Sequence, residues 1–345
     1  MDATRAAPYP RQCDGRNEVP MPDDRYTYDV DQCDVSNERR PNLRRFREKR
    51  REWLSWLHTD EHHAIWPTLH GMVWTDVAFN ALRGLAESDN ENALNNPLIV
   101  EALVRGHLST QVLAIRRLME DTPKQRLSLR RLVKDLKRHR DLFTRENYVC
   151  HDGLPYDYKA VRDAHFRKRT AEGVVFSWNP TDGPEADGTS ELIHGHFDKL
   201  AGVDQTHRTR EDRLPLKLLT TIEAWLDESG ADDLAEWSST YLAHAGGPNE
   251  RARVGEMALT SGRITEAIKV LARATEAISL FLYAGGRAGS VMPVAQFDQF
   301  QFMKLDKPVM RPGGEDEAYQ RWKQLSAQWD RCLDSVEDEL VLLRP

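Results

Sequence analysis

Residues 230–247 read GADDLAEWSSTYLAHAGG, and the reading of this stretch decides the fold. Asp232 or Asp233 is a good N-cap, with a carboxylate that suits the positive end of the helix dipole. Gly246-Gly247-Pro248 is a stop signal. Between them Leu234, Trp237, Tyr241 and His244 recur at the helical repeat, which makes theirs the packing face. A helix with one apolar face needs neighbours to bury it, and the flanking sequence supplies them. Upstream, Asp212 and Pro215 open a helix that turns Leu214, Leu218, Ile222 and Trp225 inward and ends at Gly230. Downstream, ITEAIKVLARATEAISLFLYAGG (264–286) places Ile264, Ile268, Leu271, Ile278 and Leu282 at helical spacing before Gly285-Gly286.

The same period extends toward the N-terminus. PNLRRFREKRREWLSWLH (41–58) carries a stripe of Leu43, Phe46, Arg50, Trp53 and Leu57, with an almost wholly basic far face. Pro67 is expected to break or kink the chain, after which Leu69, Met72, Val73, Val77, Phe79 and Leu82 continue as a packed helix. Asn96 caps and Pro97 starts a long helix to about Glu120. Gly106 in its middle costs up to ~1 kcal/mol relative to alanine and is a place for another helix to approach. Ser128 caps a strongly amphipathic helix: Leu129, Leu132, Val133, Leu136 and Phe143 on one side, Arg130, Arg131, Lys134, Lys137 and Arg138 on the other. Residues 144–210 are the least regular. They read as a loop with aromatic anchors, a basic helix over 159–170, a turn-rich link, and an HxH pair, His194 and His196, on a loop or strand. A last acidic amphipathic helix runs from about Asp316 to Leu343, after an extended stretch over 291–311. No alternating run argues for a sheet. The expected fold is all-α: a helical bundle over 38–290 with a loop-rich insertion at about 144–210, a disordered acidic arm over 1–37, and a C-terminal extension over 291–345 with one amphipathic helix.

The formal net charge of the 345 residues is −7. It hides two basic concentrations: residues 38–51 carry eight Arg or Lys against two Glu, and residues 124–140 carry eight against one Asp. An acidic chain with two such runs points to directed surfaces for an anionic partner, or to helix faces neutralised within the molecule. Cys13, Cys33, Cys150 and Cys332 form no CxxC pair, which suits a reducing compartment. No membrane span is read from the apolar runs, and the first fifteen residues lack the apolar segment of a secretory leader. The expected location is the cytoplasm. His58, His62 and His63 lie close together, but there is no HExxH and such clusters are more often polar groups at a helix junction; His194 and His196 form an HxH pair with no identifiable third ligand. No metal or other cofactor is expected. Neither a GxxxxGK[ST] loop nor a GxSxG elbow is present.

Two stretches carry a family resemblance: the long helix running into IRRLMED (115–121) and then LSLRRL (127–132), and the helix ending STYLAHAGG (239–247) before a long apolar helix. In this order they resemble the HEPN superfamily, in particular its abortive-infection U-type branch, over roughly residues 60–290. The resemblance implies an all-α bundle, a homodimer with a histidine near the dimer groove, and RNA binding or metal-independent RNA cleavage in a bacterial defence or toxin role. An antitoxin or other defence partner would go with that role. The family's chemistry pairs an arginine with a histidine a few residues later. The histidine moves the 2′-OH proton and the arginine stabilises the phosphate. His244 matches the histidine, but Trp237, Ser238 and Ser239 stand at the arginine positions, which favours binding without cleavage. Arg145 and His151, in RENYVCH, are an alternative pair at matching spacing. Arg44, Arg45, Arg47, Arg116, Arg117, Arg130, Arg131, Lys134, Lys137 and Arg138 are the expected RNA contacts. The competing reading is a non-catalytic helical interaction or scaffold protein with no nucleic-acid role, whose acidic arm and C-terminal helix neutralise the basic helices.

Overall fold

The computed structural model describes residues 26–59, 64–88, 93–120, 127–172, 180–243, 247–254, 259–284, 291, 314–334 and 336–342. Thirteen helices follow one another among them: α1 (Arg40–Leu54), α2 (Ile65–Ser88), α3 (Pro97–Met119), α4 (Leu129–Arg138), α5 (Arg145–Cys150), α6 (Tyr158–Glu172), α7 (Asp187–Ala201), α8 (Leu216–Glu228), α9 (Ala231–Ser238), α10 (Pro248–Val254), α11 (Ser261–Leu282), α12 (Gly314–Asp334) and α13 (Val336–Leu342). The fold is all-α. The only β-type pairing among the described residues is one bridge between Thr144 and Arg213.

The hub is α11. Thr260 accepts a hydrogen bond from the Arg263 backbone N–H and so starts the helix, a cap worth about 1 kcal/mol. Its second half, Ala274 to Leu282, is buried on every side, the polar Thr275, Glu276 and Ser279 included. Helices α1, α2, α3, α8, α12 and α13 pack around it. The end of the helix is closed from outside: Arg50 Nε donates to Leu282 O (3.0 Å), while Tyr148 Oη and His196 Nε2 both donate to Leu280 O (3.1 Å each). Three donors thus meet the last carbonyls, which a helix leaves unpaired.

The expected caps of α3 and α4 are present. Asn96 accepts from Leu98 N–H, and Ser128 accepts from Arg131 N–H. Pro67 does not break α2. It falls in the first turn, where the backbone N–H has no helical partner to lose. The stretch at 230–247 is less regular than its period suggests. Its helix gives way after Ser238 to a wide turn over Ser239–Ala243. That turn holds more residues than an α-turn and rotates the stripe outward. Leu234 is buried, Trp237 half-buried, and Tyr241 is 40 % exposed. His244 lies outside the described residues.

Residues 144–210 are more helical than their composition suggests, because α5, α6 and α7 occupy most of them. The acidic arm also needs correction over its last dozen residues, which dock on the body. Tyr26 Oη donates to Arg47 O (3.2 Å), and Tyr28 N–H donates to Asp152 Oδ1 (3.0 Å). The Tyr28 ring is held between Gly153 and Gly183, both in left-handed backbone, where an added Cβ would come within 2.5 Å and 2.1 Å of it. Only glycine meets both demands. Among the described residues the acidic C-terminal helices take their main packing away from α1 and α4. They pack on α2 and α11, through a Trp74–Trp322 ring contact and an Arg273–Glu339 ion pair. One expectation about membranes also changes: α3 is long and apolar enough to cross a bilayer by length and composition.

Candidate nucleic-acid interface

The two basic runs of the sequence lie side by side. Asp135, the lone acid of the second run, sits on α4 and points at α1. It accepts from Trp53 Nε1 (2.9 Å) and Lys49 Nζ (3.0 Å). Trp53 itself is fully buried and stacks on Phe143, with ring centres 5.2 Å apart. Beside this joint, Arg45 reaches His139 Nδ1 (3.1 Å) and Asp141 (3.6 Å), and Arg138 lies 3.8 Å from Asp135. Arg44, Arg45, Lys134 and Arg138 are among the exposed cations of the two runs, with side chains of the three arginines 54 %, 53 % and 75 % exposed. Arg131 extends the ridge, its guanidinium 4.7 Å from the centre of the Trp56 ring. Exposed ion pairs such as Arg44–Asp31 (3.5 Å) are weak, so these cations can exchange their partners for phosphates.

The remaining expected contacts are placed elsewhere. Arg47 is buried and cannot meet a polymer: it donates to His151 O (2.7 Å), Tyr28 O (2.8 Å) and Cys33 Sγ (3.0 Å), pinning the arm. Arg130 and Lys137 face α8 and α9. Arg130 is paired with Asp227 and Asp232 (2.6 Å each), and Lys137 with Glu223. Arg116 and Arg117 lie in the last turn of α3, where Arg116 pairs with Glu120 (3.7 Å). Neutralisation of basic helices within the chain is therefore real in part: on α4 the acids come from α8 and α9, and on α1 Asp31 of the arm pairs with Arg40 and Arg44.

Arg145 and His151 are both buried and turn to different partners. Arg145 is fully buried, with Nε donating to Asp212 (2.8 Å), Nη1 donating to Asp198 (2.7 Å), and its plane 4.6 Å from the Phe197 ring centre. Nη2 lacks a partner among the described residues and is sealed from solvent. His151 turns to the other side of α5, where Nδ1 donates to Tyr148 O (3.0 Å) and the ring meets Tyr26 and Phe46. Burial pushes its imidazole well below the ordinary range, and the nearby arginines add to this. The same charged layer continues outward: Arg208 on Asp198 (2.9 Å), Arg210 on Glu146 (2.7 Å) and Asp34 (3.0 Å). These partners could not be read from sequence, since no local pattern links residues 34, 146, 198 and 210.

His194 and His196 are on a helix, α7, not on a strand or a surface loop. Two residues apart on a helix, they point to opposite sides. His194 Nε2 donates to Tyr156 O (3.0 Å), and His196 caps α11. Of the other expected trio, only His58 is among the described residues, and burial lowers its pKa. Among the described residues no group of three His, Cys, Asp or Glu is placed to hold a metal.

The buried imidazoles make stability depend on pH. Burial lowers His194 to about 4, with Arg145 and Arg208 acting the same way. Below ~6.5 the unfolded chain binds protons at His194 and His151 that the folded chain refuses. Folding should therefore weaken as pH falls from 6.5 toward 4, by up to ~1.4 kcal/mol per pH unit for each group. Urea unfolding at pH 7.5 and 5.0 checks this. In His194→Gln the amide can still donate to Tyr156 O while the titrating ring is gone, so the pH slope should flatten. An unchanged slope would mean that His194 is not held neutral.

The local signals that the sequence did offer are Asp135, a single acid set among eight bases, and the indole of Trp53 on the opposing helix. Comparison with known proteins finds no match to this chain among family models, curated proteins or solved structures.

Proposed function

We propose that the α1–α4 surface binds RNA through its phosphates, without cleaving it. The observation that supports this reading is that Asp135 joins two basic runs, far apart in sequence, into one exposed cationic surface. The resemblance to HEPN proteins of the abortive-infection U-type suggests RNA as the polymer and a defence or toxin role, with a homodimer and an antitoxin-type partner as further proposals. Binding is favoured over cleavage because no arginine precedes His244 at the family spacing, and the alternative pair, Arg145 and His151, is built into the core.

The test is anisotropy of a labelled single-stranded RNA in rising salt. Each phosphate contact on a single strand contributes roughly −0.7 to the log–log slope, so four or five contacts give a slope of about −3. The triple variant Arg44→Glu, Arg45→Glu, Arg138→Glu should lose at least ~10-fold in affinity and flatten the slope by about 2. No retention at low salt, or a triple variant that binds as wild type does, would reject the reading. The second reading is a helical scaffold with no nucleic-acid role. It is favoured by the Arg130 and Lys137 pairs, which leave half of α4 neutral.

A further inference from the structure

His139 closes α4, beside the carboxylate that joins α1 to α4, and was not among the expected RNA contacts. Its ring nitrogens face opposite charges. Nε2 lies 3.7 Å from Asp135 Oδ1, and Nδ1 lies 3.1 Å from Arg45 Nη2. A guanidinium only donates. Arg45 therefore reaches Nδ1 only while that nitrogen keeps its lone pair, which makes the ring neutral, with its one proton on Nε2 beside the carboxylate. The other charged groups around it are Lys49 from α1, Asp141 from the turn after α4, and Arg138, which shares the Asp135 carboxylate at 3.8 Å. Trp53, fully buried, lies behind it with ring centres 6.4 Å apart. Burial holds the imidazole below its ordinary value; Lys49 and Arg45 act the same way, while Asp135 and Asp141 act against them. The ring still reaches solvent: its side chain is 15 % exposed, and that of Arg45 is 53 % exposed.

We infer that His139 is a phosphate contact gated by pH: a proton taken up at Nδ1 ends the hydrogen bond from Arg45 and leaves two cationic groups side by side for a phosphate to join. The protonated ring has a second N–H to donate, and Arg45 is released from it. Arg45 stays on the surface, since Asp141 already lies 3.6 Å from it. The end of α4 favours the added charge, because the last carbonyls of a helix carry its negative pole. RNA supplies the opposite charge that both groups need. By linkage, bound RNA raises the proton affinity of the ring by the same factor by which protonation raises the affinity for RNA. The arginines and lysines of this surface keep their charge across the whole range, so none of them gives RNA binding a pH dependence near neutrality. This gate presupposes the α1–α4 surface as the RNA site and adds the proton as its regulator.

Anisotropy of the labelled single-stranded RNA at pH 7.5 and pH 5.5, at equal ionic strength, tests it. Wild type should bind at least ~5-fold more tightly at pH 5.5, with a log–log salt slope steeper by about 0.7, the weight of one more phosphate contact. His139→Gln, which never charges, should lose both the gain and the change of slope. A second readout needs no RNA: the His139 ring titrated by NMR in the free protein. In Arg45→Ala it should take up its proton at a higher pH than in wild type, because the opposing cation is gone. RNA binding with the same pH gain in wild type and His139→Gln overturns the inference and leaves the surface reading intact. So does an Arg45→Ala variant whose His139 titrates as it does in wild type. No RNA binding at either pH, or a triple variant of α1 and α4 that binds as wild type does, overturns the surface reading and the gate with it.

Discussion

Arg145→Ala should destabilise the fold by about 3–5 kcal/mol, a large part of what a domain has. The side chain is fully buried and divides its fork between two carboxylates on different segments, Asp212 at 2.8 Å and Asp198 at 2.7 Å. Removing it leaves both acids facing a low-dielectric interior with one cation fewer. Arg208 still holds Asp198 (2.9 Å), and Thr209 still donates to Asp212 (2.7 Å), so the loss belongs near the lower end of that range. Arg145→Lys should recover little of it, because an ammonium cannot present two separated donors in one plane or lie flat against Phe197. Urea unfolding followed by tryptophan fluorescence gives the number. The contrary result is informative: an alanine variant that folds within about 1 kcal/mol of wild type, yet loses action on RNA, would return Arg145 to the chemistry.

The role of Arg145 explains what was legible in the sequence and what was not. The long helices were, because each carries many turns of one period and its own caps. Asn96, Ser128 and the stripe of α11 can be read without knowing any neighbour. α5 could not be. It has six residues, RENYVC, too few to show a period, and every one of them is buried. A buried Arg-Glu-Asn run looks like loop from composition alone, and it is helical here because distant segments supply its partners. Position 145 needs residues 198 and 212, and position 146 needs residue 210. The same limit applied to Arg47, which reads as one more surface cation on a basic helix until Tyr28, Cys33 and His151 are seen around it. The cationic surface was legible in part. Charge counts located both runs, but not which members face solvent or that the runs meet. The helix at 230–247 was read with a regular stripe, and no propensity signal foretold the wide turn that rotates Tyr241 outward.

Asp135 separates the effect of packing from the effect of charge at the proposed RNA surface. Its carboxylate joins α1 to α4, and its side chain is 11 % exposed. Asp135→Ala strands the Trp53 N–H in the interior and deprives Lys49 of one partner, though Glu52 remains to it (2.7 Å). The expected loss is about 3 kcal/mol. Asp135→Asn keeps an acceptor for Trp53 and loses only the ionic part, about 1–2 kcal/mol. Burial alone would raise the Asp135 carboxyl, but the Trp53 hydrogen bond and Lys49 outweigh it and hold the group below the ordinary range. Its contribution is thus complete above pH ~3.9 and disappears as pH falls through the lower folded value. The stability gap between wild type and Asp135→Asn should accordingly close toward pH 3. At neutral pH the two properties should move in opposite directions. Asp135→Asn removes a negative charge from among Arg45, Lys49 and Arg138 while α1 stays against α4, so RNA should bind a few-fold more tightly at low salt, with a steeper salt slope. An Asn variant with reduced stability and unchanged RNA affinity would place any binding away from this surface, since a phosphate held among those cations must respond to the loss of the acid at their centre.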